Sequence, residues 1–315
     1  MKIFISGGAG FIGSSLLPKL VDENDIFIFD NLERNALAST KFKNVPVNCG
    51  DITDFEAVDS CIKRIQPDVI LHLAAIAGVD NVLKRPIRTM EVNILGTYNL
   101  LKSVFNNKIN LAKFIVFSTS EVYGSYSYKL GENESTVMGA VGEARWSYSI
   151  SKLAAEHLAF SYYKQFGFPI VLVRPFNIYG PNQVGEGAIQ IFLNKCLEGK
   201  DIEVYGDGSQ IRSWCYIDDA VSFILKCIEK DEAIGHVFNM GNPESTITTV
   251  ALAKKIIKIT RSRSKIKFIE SPYVDVELRI PNIEKSKSIL GFEPKVDLDE
   301  GIRRTYEWYE RSCKK

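Results

Sequence analysis

Lys2-Ile3-Phe4-Ile5-Ser6-Gly7-Gly8-Ala9-Gly10-Phe11-Ile12-Gly13 is the stretch that decides the fold. Lys2 to Ser6 is a short apolar run, and Gly7, Gly10 and Gly13 follow it in GxxGxxG spacing. Phe11-Ile12, Leu16-Leu17 and Leu20 then recur with helical period. The order is strand, tight turn, helix N-terminus. Glycines let the backbone approach a pyrophosphate, and the free N–H groups and dipole of the helix receive its charge. Glycine spacing alone is a weak signal, and a glycine turn before a strand-capping Asp would leave the same residues. The next strand, Ile26 to Phe29, supplies the context by ending in Asp30-Asn31. An acidic residue about 20 positions on is where the adenine ribose hydroxyls are held in a dinucleotide fold. Asp30 would repel a 2′-phosphate, so NAD is favoured over NADP, with Arg34 as the opposing charge nearby. Gly7, Gly10, Phe11, Ile12, Gly13, Asp30 and Asn31 are therefore the first cofactor-binding candidates.

The alternation continues outward from there. Val45 to Gly50 reads as a strand ending at Asp51-Ile52, placed to sit beside adenine. Phe55 to Ile65 is helical, and Val69 to Leu73 is a continuous apolar strand closing on Ala74-Ala75. Small residues after Leu73 suit close passage of a cofactor, although tight packing alone would also select them. Ile87 to Phe105 is a helix with Asn93 midway, more readily a polar anchor in the core than a ligand. Strands over Phe114 to Phe117 and Pro169 to Val173 complete the series. Apolar strands alternating with helices imply an α/β Rossmann-type, doubly wound parallel sheet. Its crevice lies beyond the strand carboxyl ends, where Gly7, Ala74 and Thr119 fall.

Pro175 and Pro181 in Arg174-Pro175-Phe176-Asn177-Ile178-Tyr179-Gly180-Pro181 end that regularity. The expected division is a dinucleotide-binding domain over 1–176, rejoined by parts of 213–241, and a smaller mixed α/β substrate domain over 177–315. Helices are expected near 187–198, 218–229, 248–259 and 297–312. Arg212, in Gly206-Asp207-Gly208-Ser209-Gln210-Ile211-Arg212, and Arg279 stand in sparsely basic surroundings. Arginine forks suit a diphosphate, and they suit domain-closing salt bridges equally well.

The second informative stretch runs from Phe117 to Lys152. It opens Ser118-Thr119-Ser120-Glu121 and closes Tyr148-Ser149-Ile150-Ser151-Lys152. Tyr and Lys at i and i+4 share a helix face, with Cβ atoms about 5–6 Å apart. An ammonium beside a phenol favours the phenolate, so the pair is expected to form an acid/base near neutral pH. Such a group moves a proton on or off a sugar hydroxyl. YxxxK also occurs by chance on any helix, and its weight comes from the dinucleotide fold that precedes it.

Composition narrows the class. Across 315 residues, 39 Lys and Arg against 38 Asp and Glu leave almost no net charge, which argues against nucleic acid or an anionic membrane as partner. No apolar run approaches the roughly 20 residues of a membrane span. Six scattered cysteines without CxxC spacing suit reduced thiols in a cytoplasmic enzyme. His72, His157 and His236 are dispersed, so no metal site is expected.

Taken together, the motifs resemble the extended short-chain dehydrogenase/reductase family, and within it the nucleotide-sugar epimerases, dehydratases and decarboxylases. The likeness runs through Gly7-xx-Gly10-xx-Gly13, Asp30, Asp51-Ile52, Leu73-Ala74-Ala75, Asn93, Ser118-Thr119-Ser120, Tyr148/Lys152 and Arg174-Pro175-Phe176-Asn177 to Gly291-Phe292-Glu293-Pro294. It implies NAD as cofactor, held also by Asn93, Tyr148 and Lys152. It further implies a first step in which C4 of a hexose is oxidised while Tyr148, helped by Lys152 and Thr119, takes the hydroxyl proton. Thr119-Ser120-Glu121 resembles the lyases of the family, the 4,6-dehydratases and UDP-glucuronate decarboxylases, rather than the 4-epimerases. Glu121 as a structural acid pairing an arginine is the plainer alternative. Arg145-Trp146-Ser147-Tyr148, Gly241-Asn242-Pro243-Glu244 and Tyr273-Val274-Asp275-Val276-Glu277-Leu278-Arg279 look like the decarboxylases. By that resemblance Ser120, Glu121 and Arg279 serve decarboxylation, Arg145 and Arg279 meet substrate, and Asn177, Gln210, Arg212 and Tyr273 bind the nucleotide diphosphate side. One departure stands out: Val82 occupies the position where decarboxylases carry Tyr and dehydratases Ser. A non-catalytic NAD-binding regulator would be expected to have lost Thr119, Tyr148 or Lys152, and all three are present. Members commonly dimerise through the two helices corresponding to Ile87–Phe105 and Tyr148–Phe166, so a homodimer is expected.

Overall fold

A computed structural model describes residues 1–185, 187–271 and 276–313. The chain runs β1 (Lys2–Ser6), α1 (Phe11–Leu20), β2 (Asp25–Asp30), β3 (Val47–Cys49), α2 (Phe55–Ile65), β4 (Val69–His72), α3 (Val79–Lys84), α4 (Pro86–Asn106), β5 (Lys113–Phe117), β6 (Tyr126–Leu130), α5 (Trp146–Phe166) and β7 (Ile170–Pro175). It continues through β8 (Ile178–Tyr179), α6 (Ala188–Leu197), β9 (Ile202–Tyr205), β10 (Ile211–Ser213), β11 (Cys215–Tyr216), α7 (Ile217–Glu229) and β12 (His236–Met240). The last elements are β13 (Thr246–Thr248), α8 (Thr249–Thr260), β14 (Ile266–Ile269), β15 (Leu278–Pro281), α9 (Glu284–Leu290) and α10 (Leu298–Cys313).

The main sheet is seven-stranded and parallel, in the order β12-β7-β5-β4-β1-β2-β3. Its central strands read as unbroken apolar runs because helices cover both faces: β4 and β5 are buried throughout. Order reverses between β1 and β4, so the crevice opens beyond Ser6 and His72, at the topological switch point. The strand expected over Val45 to Gly50 is only Val47–Cys49, a short edge strand.

The final strand, β12, comes from far along the chain and pairs with β7 from His236↔Val171 to Met240↔Pro175. The chain thus leaves the main sheet after Pro175 and returns for one strand. A second sheet, β13-β10-β15-β6, sits past those strand ends. It draws β6 from the loop between β5 and α5, and its pairing places Arg212 opposite Arg279, and Arg279 opposite Ser127. Two arginines far apart in sequence become neighbours on one rung.

Candidate active site

Two cavities lie along the carboxyl edge of the main sheet, and successive residues between Leu73 and Val82 line first one and then the other. The first, of about 290 Å³, is lined by Gly7, Gly10, Phe11, Ile12 and Gly13 of the opening turn. Asp30, Asn31, Asp51, Ile52, Leu73, Ala74 and Ala75 complete the sequence-expected part of its wall. Local physics explains the turn. Gly7 has φ +71°, and a Cβ there would lie 2.5 Å from the backbone nitrogen of Ala74. α1 then starts without a side-chain cap on Gly10, leaving its first amides for a ligand. Asp30 closes the β2 end, its Oδ2 accepting from the Ala9 amide at 3.0 Å and its Oδ1 from the Leu32 amide at 2.7 Å. Burial raises its pKa, and the two amides offset only part of that. This glycine cradle with an acid at the far strand fits a dinucleotide.

Asp51 is less free than its position implies. Arg88 of α4 donates to its carboxylate, while the Thr53 amide and hydroxyl donate at 2.9 and 2.7 Å. Burial pushes Asp51 up, but Thr53 and Arg88 together hold its carboxyl below the usual range. Arg88, with the Arg85–Glu33 ion pair and Val184, also lines this cavity and was not legible as a site residue. Asn93 lies outside the lining. Fully buried, it accepts from the Ile76 amide at 3.0 Å and donates to the Ile76 carbonyl and to Ser151 Oγ. It pins the strand-end loop rather than facing the cavity.

The second cavity, of about 390 Å³, brings together Glu121, Arg145, Tyr148, Asn177, Gln210, Arg212 and Arg279. These come from five separate segments. Tyr273 lies outside the described residues. Asn177 has φ +30°, unusual for a residue with a side chain, and is held by its Nδ2 on the Ser213 carbonyl at 2.9 Å. Glu121 Oε1 lies 3.3 Å from Arg279 Nη2 and 3.8 Å from Arg145 Nη2. Both arginines are buried, at 6% and 5% exposure. Nε of Arg279 has no hydrogen-bond partner among the described residues. The plainer expectation for Glu121, an acid paired with arginine, describes its geometry, and the acid is also a cavity wall. Val82 lines the same cavity and is buried. Trp214, Tyr205, Lys195 and Phe192 line it too, without any sequence signal that singles them out.

Thr119, Ser120 and Lys152 are buried behind this wall rather than in it. Thr119 begins the 3-10 turn over Ser120–Tyr123, its Oγ1 accepting from the Glu121 amide at 3.2 Å, and its hydroxyl meets the Tyr148 phenol. Lys152 Nζ donates to the Phe117 carbonyl at 2.7 Å. Burial draws its pKa down to about 8, with Glu156 opposing. The expectation of a tyrosine already tuned towards neutrality is corrected here. Burial raises the Tyr148 pKa, Glu121 adds to that, and Thr119 and Arg279 only partly oppose it. Desolvation outweighs neighbouring charge in the protein by itself. No group of three or more His, Cys, Asp or Glu side chains able to hold a metal occurs among the described residues.

A parallel sheet with a glycine cradle at its switch point, and a Tyr–Lys helix beside a second cavity, defines an NAD-dependent enzyme of the extended short-chain dehydrogenase/reductase class. The chain belongs to the NAD dependent epimerase/dehydratase family, whose model matches residues 3–241. It is 34% identical to a UDP-N-acetyl-alpha-D-glucosaminuronate decarboxylase of Bacillus cytotoxicus, over 98% of this chain and 97% of that one. It is 30% identical to dTDP-glucose 4,6-dehydratase 1 of Escherichia coli, over 100% of this chain and 94% of that one. Among solved structures it is similar to a UDP-glucuronic acid 4-epimerase from Bacillus cereus in complex with UDP-glucuronic acid and NAD. That match has TM-score 0.89 at 29% identity, over 99% of this chain and 100% of the other.

Proposed function

We propose that this chain is a nucleotide-sugar lyase that oxidises a sugar acid at C4 and then decarboxylates it, with UDP-glucuronate as the substrate. Gly7, the α1 amides and Asp30 would hold NAD, which supplies a reversible hydride acceptor at C4. Tyr148 takes the proton of the C4 hydroxyl, with Thr119 hydrogen-bonding that oxygen and Lys152 favouring the phenolate from behind. The resulting ketone stands β to the C6 carboxylate. Breaking the C5–C6 bond releases carbon dioxide and sends the electron pair to the C4 oxygen, where Tyr148 and Thr119 stabilise it. C5 then takes a proton, and return of the hydride to C4, with the proton given back by Tyr148, leaves a product lighter by carbon dioxide alone.

The observation that supports this reading is the pair Arg145 and Arg279 around Glu121. Two buried guanidiniums flank Glu121 in the wall of the cavity that Tyr148 lines, and arginine forks suit a sugar carboxylate. The same geometry counts against dehydration. A 4,6-dehydratase needs a free base for the C5 proton, and the Glu121 carboxylate already lies within ion-pair distance of Arg279 and Arg145. Decarboxylation needs no base there. The seat would equally serve a 4-epimerase of a sugar acid, the activity named for the Bacillus cereus neighbour.

Incubation with NAD+ and UDP-glucuronate, UDP-glucose, UDP-GlcNAc, GDP-mannose and dTDP-glucose, read by mass spectrometry, tests this. A product lighter by carbon dioxide is expected from UDP-glucuronate. Loss of water, or an unchanged mass with C4 inverted by NMR, would replace the proposal by dehydratase or epimerase respectively. The same reading includes a homodimer in the cytoplasm. α4 and α5 expose Ile87, Leu95, Tyr98, Phe105 and Phe166, more apolar surface than a solvated helix pair carries, and Cys49, Cys61, Cys196, Cys215 and Cys227 are free thiols. Light scattering after size exclusion should give twice the chain mass; a monomer at micromolar concentration removes the dimer. Among the described residues, no helix is long and apolar enough to cross a membrane.

A further inference from the structure

We propose that Glu156, clamped by Arg174, is a positioning residue that keeps Lys152 charged beneath the active-site tyrosine. This rests on the role proposed above for Lys152. Tyr148, Lys152 and Glu156 follow one another at four-residue steps along α5, so they form one stripe on the helix. Lys152 and Glu156 are both buried, at 2% and 4% exposure. Arg174, at the end of β7, grips Glu156 with both arms: Nε to Oε1 at 2.9 Å and Nη2 to Oε2 at 2.7 Å. Its Nη1 donates to the Tyr123 hydroxyl at 2.8 Å, which in turn donates to Asn239 Oδ1 at 2.9 Å. The carboxylate is therefore fixed one turn below Lys152 and has little freedom to turn away.

A buried ammonium needs a counter-charge. Lys152 Nζ has a neutral carbonyl, that of Phe117, as its hydrogen-bond partner. The other titratable groups around it bring no negative charge at neutral pH. His72, packed in from β4, is kept neutral by burial, and the Tyr148 phenol is raised. Glu132 and Lys285 gather around Arg174 and Tyr123, beyond Glu156. Glu156 is the group whose charge opposes the effect of burial on Lys152. An ion pair needed only to join α5 to β7 could stand anywhere along their contact; this one stands one helical turn from the lysine on the same stripe.

The test is a titration of Lys152 by NMR in protein carrying 13C-labelled lysine, with the resonance identified by its absence in Lys152→Met. Glu156→Gln should lower the midpoint by about one unit, a tenfold weaker hold on the proton. Because that variant leaves Arg174 buried without its counter-charge, Glu156→Gln/Arg174→Met is titrated alongside and should shift the same way. Arg174→Met alone, which leaves the carboxylate, should not lower the midpoint. In turnover, the alkaline limb of the pH profile should move down with the NMR midpoint in the first two variants. A midpoint that stays at its wild-type value in both Glu156 variants overturns the inference and leaves a structural brace. Retained turnover in Lys152→Met overturns instead the reading on which it rests.

Discussion

The two cavities are built by opposite means. The cofactor cavity is lined by one run of the chain, and all but Val184 of its lining falls between Gly7 and Val92. The substrate cavity is gathered from short stretches scattered between Gly78 and Arg279. One is a local construction, written in contiguous β-turn-α units. The other exists only after β6, β10 and β15 have paired and set Arg212 beside Arg279. A cofactor site of the first kind can be shared by many enzymes, while a site of the second kind can be retuned one side chain at a time.

The sharpest break of this contrast is Tyr148→Phe, which touches chemistry without touching either architecture. Turnover should fall by about 10³-fold, the scale of a general acid–base group, with NAD binding by fluorescence titration unchanged. Turnover within tenfold of wild type would remove Tyr148 from the mechanism. Next comes the cradle itself. Gly7→Ala adds a Cβ 2.5 Å from Ala74 N at a backbone φ of +71°, so strain and clash act together. NAD affinity should drop by about 100-fold and unfolding free energy by about 3 kcal/mol. Wild-type affinity in this variant would show that the turn is not where the pyrophosphate sits.

How legible each cavity was follows from this difference in construction. Glycine spacing, an acid at a strand end and paired alanines each have a local physical meaning, so Gly7, Asp30 and Ala74 could be read from the sequence. Asn93 was legible as a core anchor for the same reason, as a lone amide on an apolar face. Arg85, Arg88 and Val184 were not, because nothing in a helix or loop sequence says which cavity it will border. On the substrate side, Arg212 and Arg279 stood out as isolated cations without a settled role, and Arg145 and Gln210 were nameable only through family resemblance. Their convergence depends on a parallel pairing between strands more than 60 residues apart, and no periodicity encodes that. The raised pKa of Tyr148 was illegible in the same way, since burial by distant segments sets it.

Arg279→Gln addresses the substrate cavity alone. It removes a buried guanidinium 3.3 Å from Glu121 while keeping a neutral donor on a shorter side chain. The KM for a sugar-acid nucleotide should rise about 30-fold, with little change for an uncharged sugar nucleotide bound as a competitor, because the lost term is charge recognition. An equal loss for both would mean that Arg279 shapes the cavity rather than reading the carboxylate.

The smallest effect expected is at Val82, and it decides how tolerant the second kind of site is. Val82 is buried, lines the substrate cavity, and sits on α3, whose neighbours Gly78 and Val79 line it too. Val82→Thr keeps nearly the same volume and places a hydroxyl where the wall is apolar. If that hydroxyl finds no partner, stability falls by about 1 kcal/mol and KM moves less than about threefold. If it reaches the sugar, KM falls instead and the stability loss disappears when substrate is bound, because the substrate supplies the missing partner. Thermal melts with and without UDP-glucuronate separate the two: a loss recovered only by ligand means that position 82 faces the sugar. A loss that ligand does not recover makes Val82 a packing residue, and the chain's departure from its relatives there a neutral one.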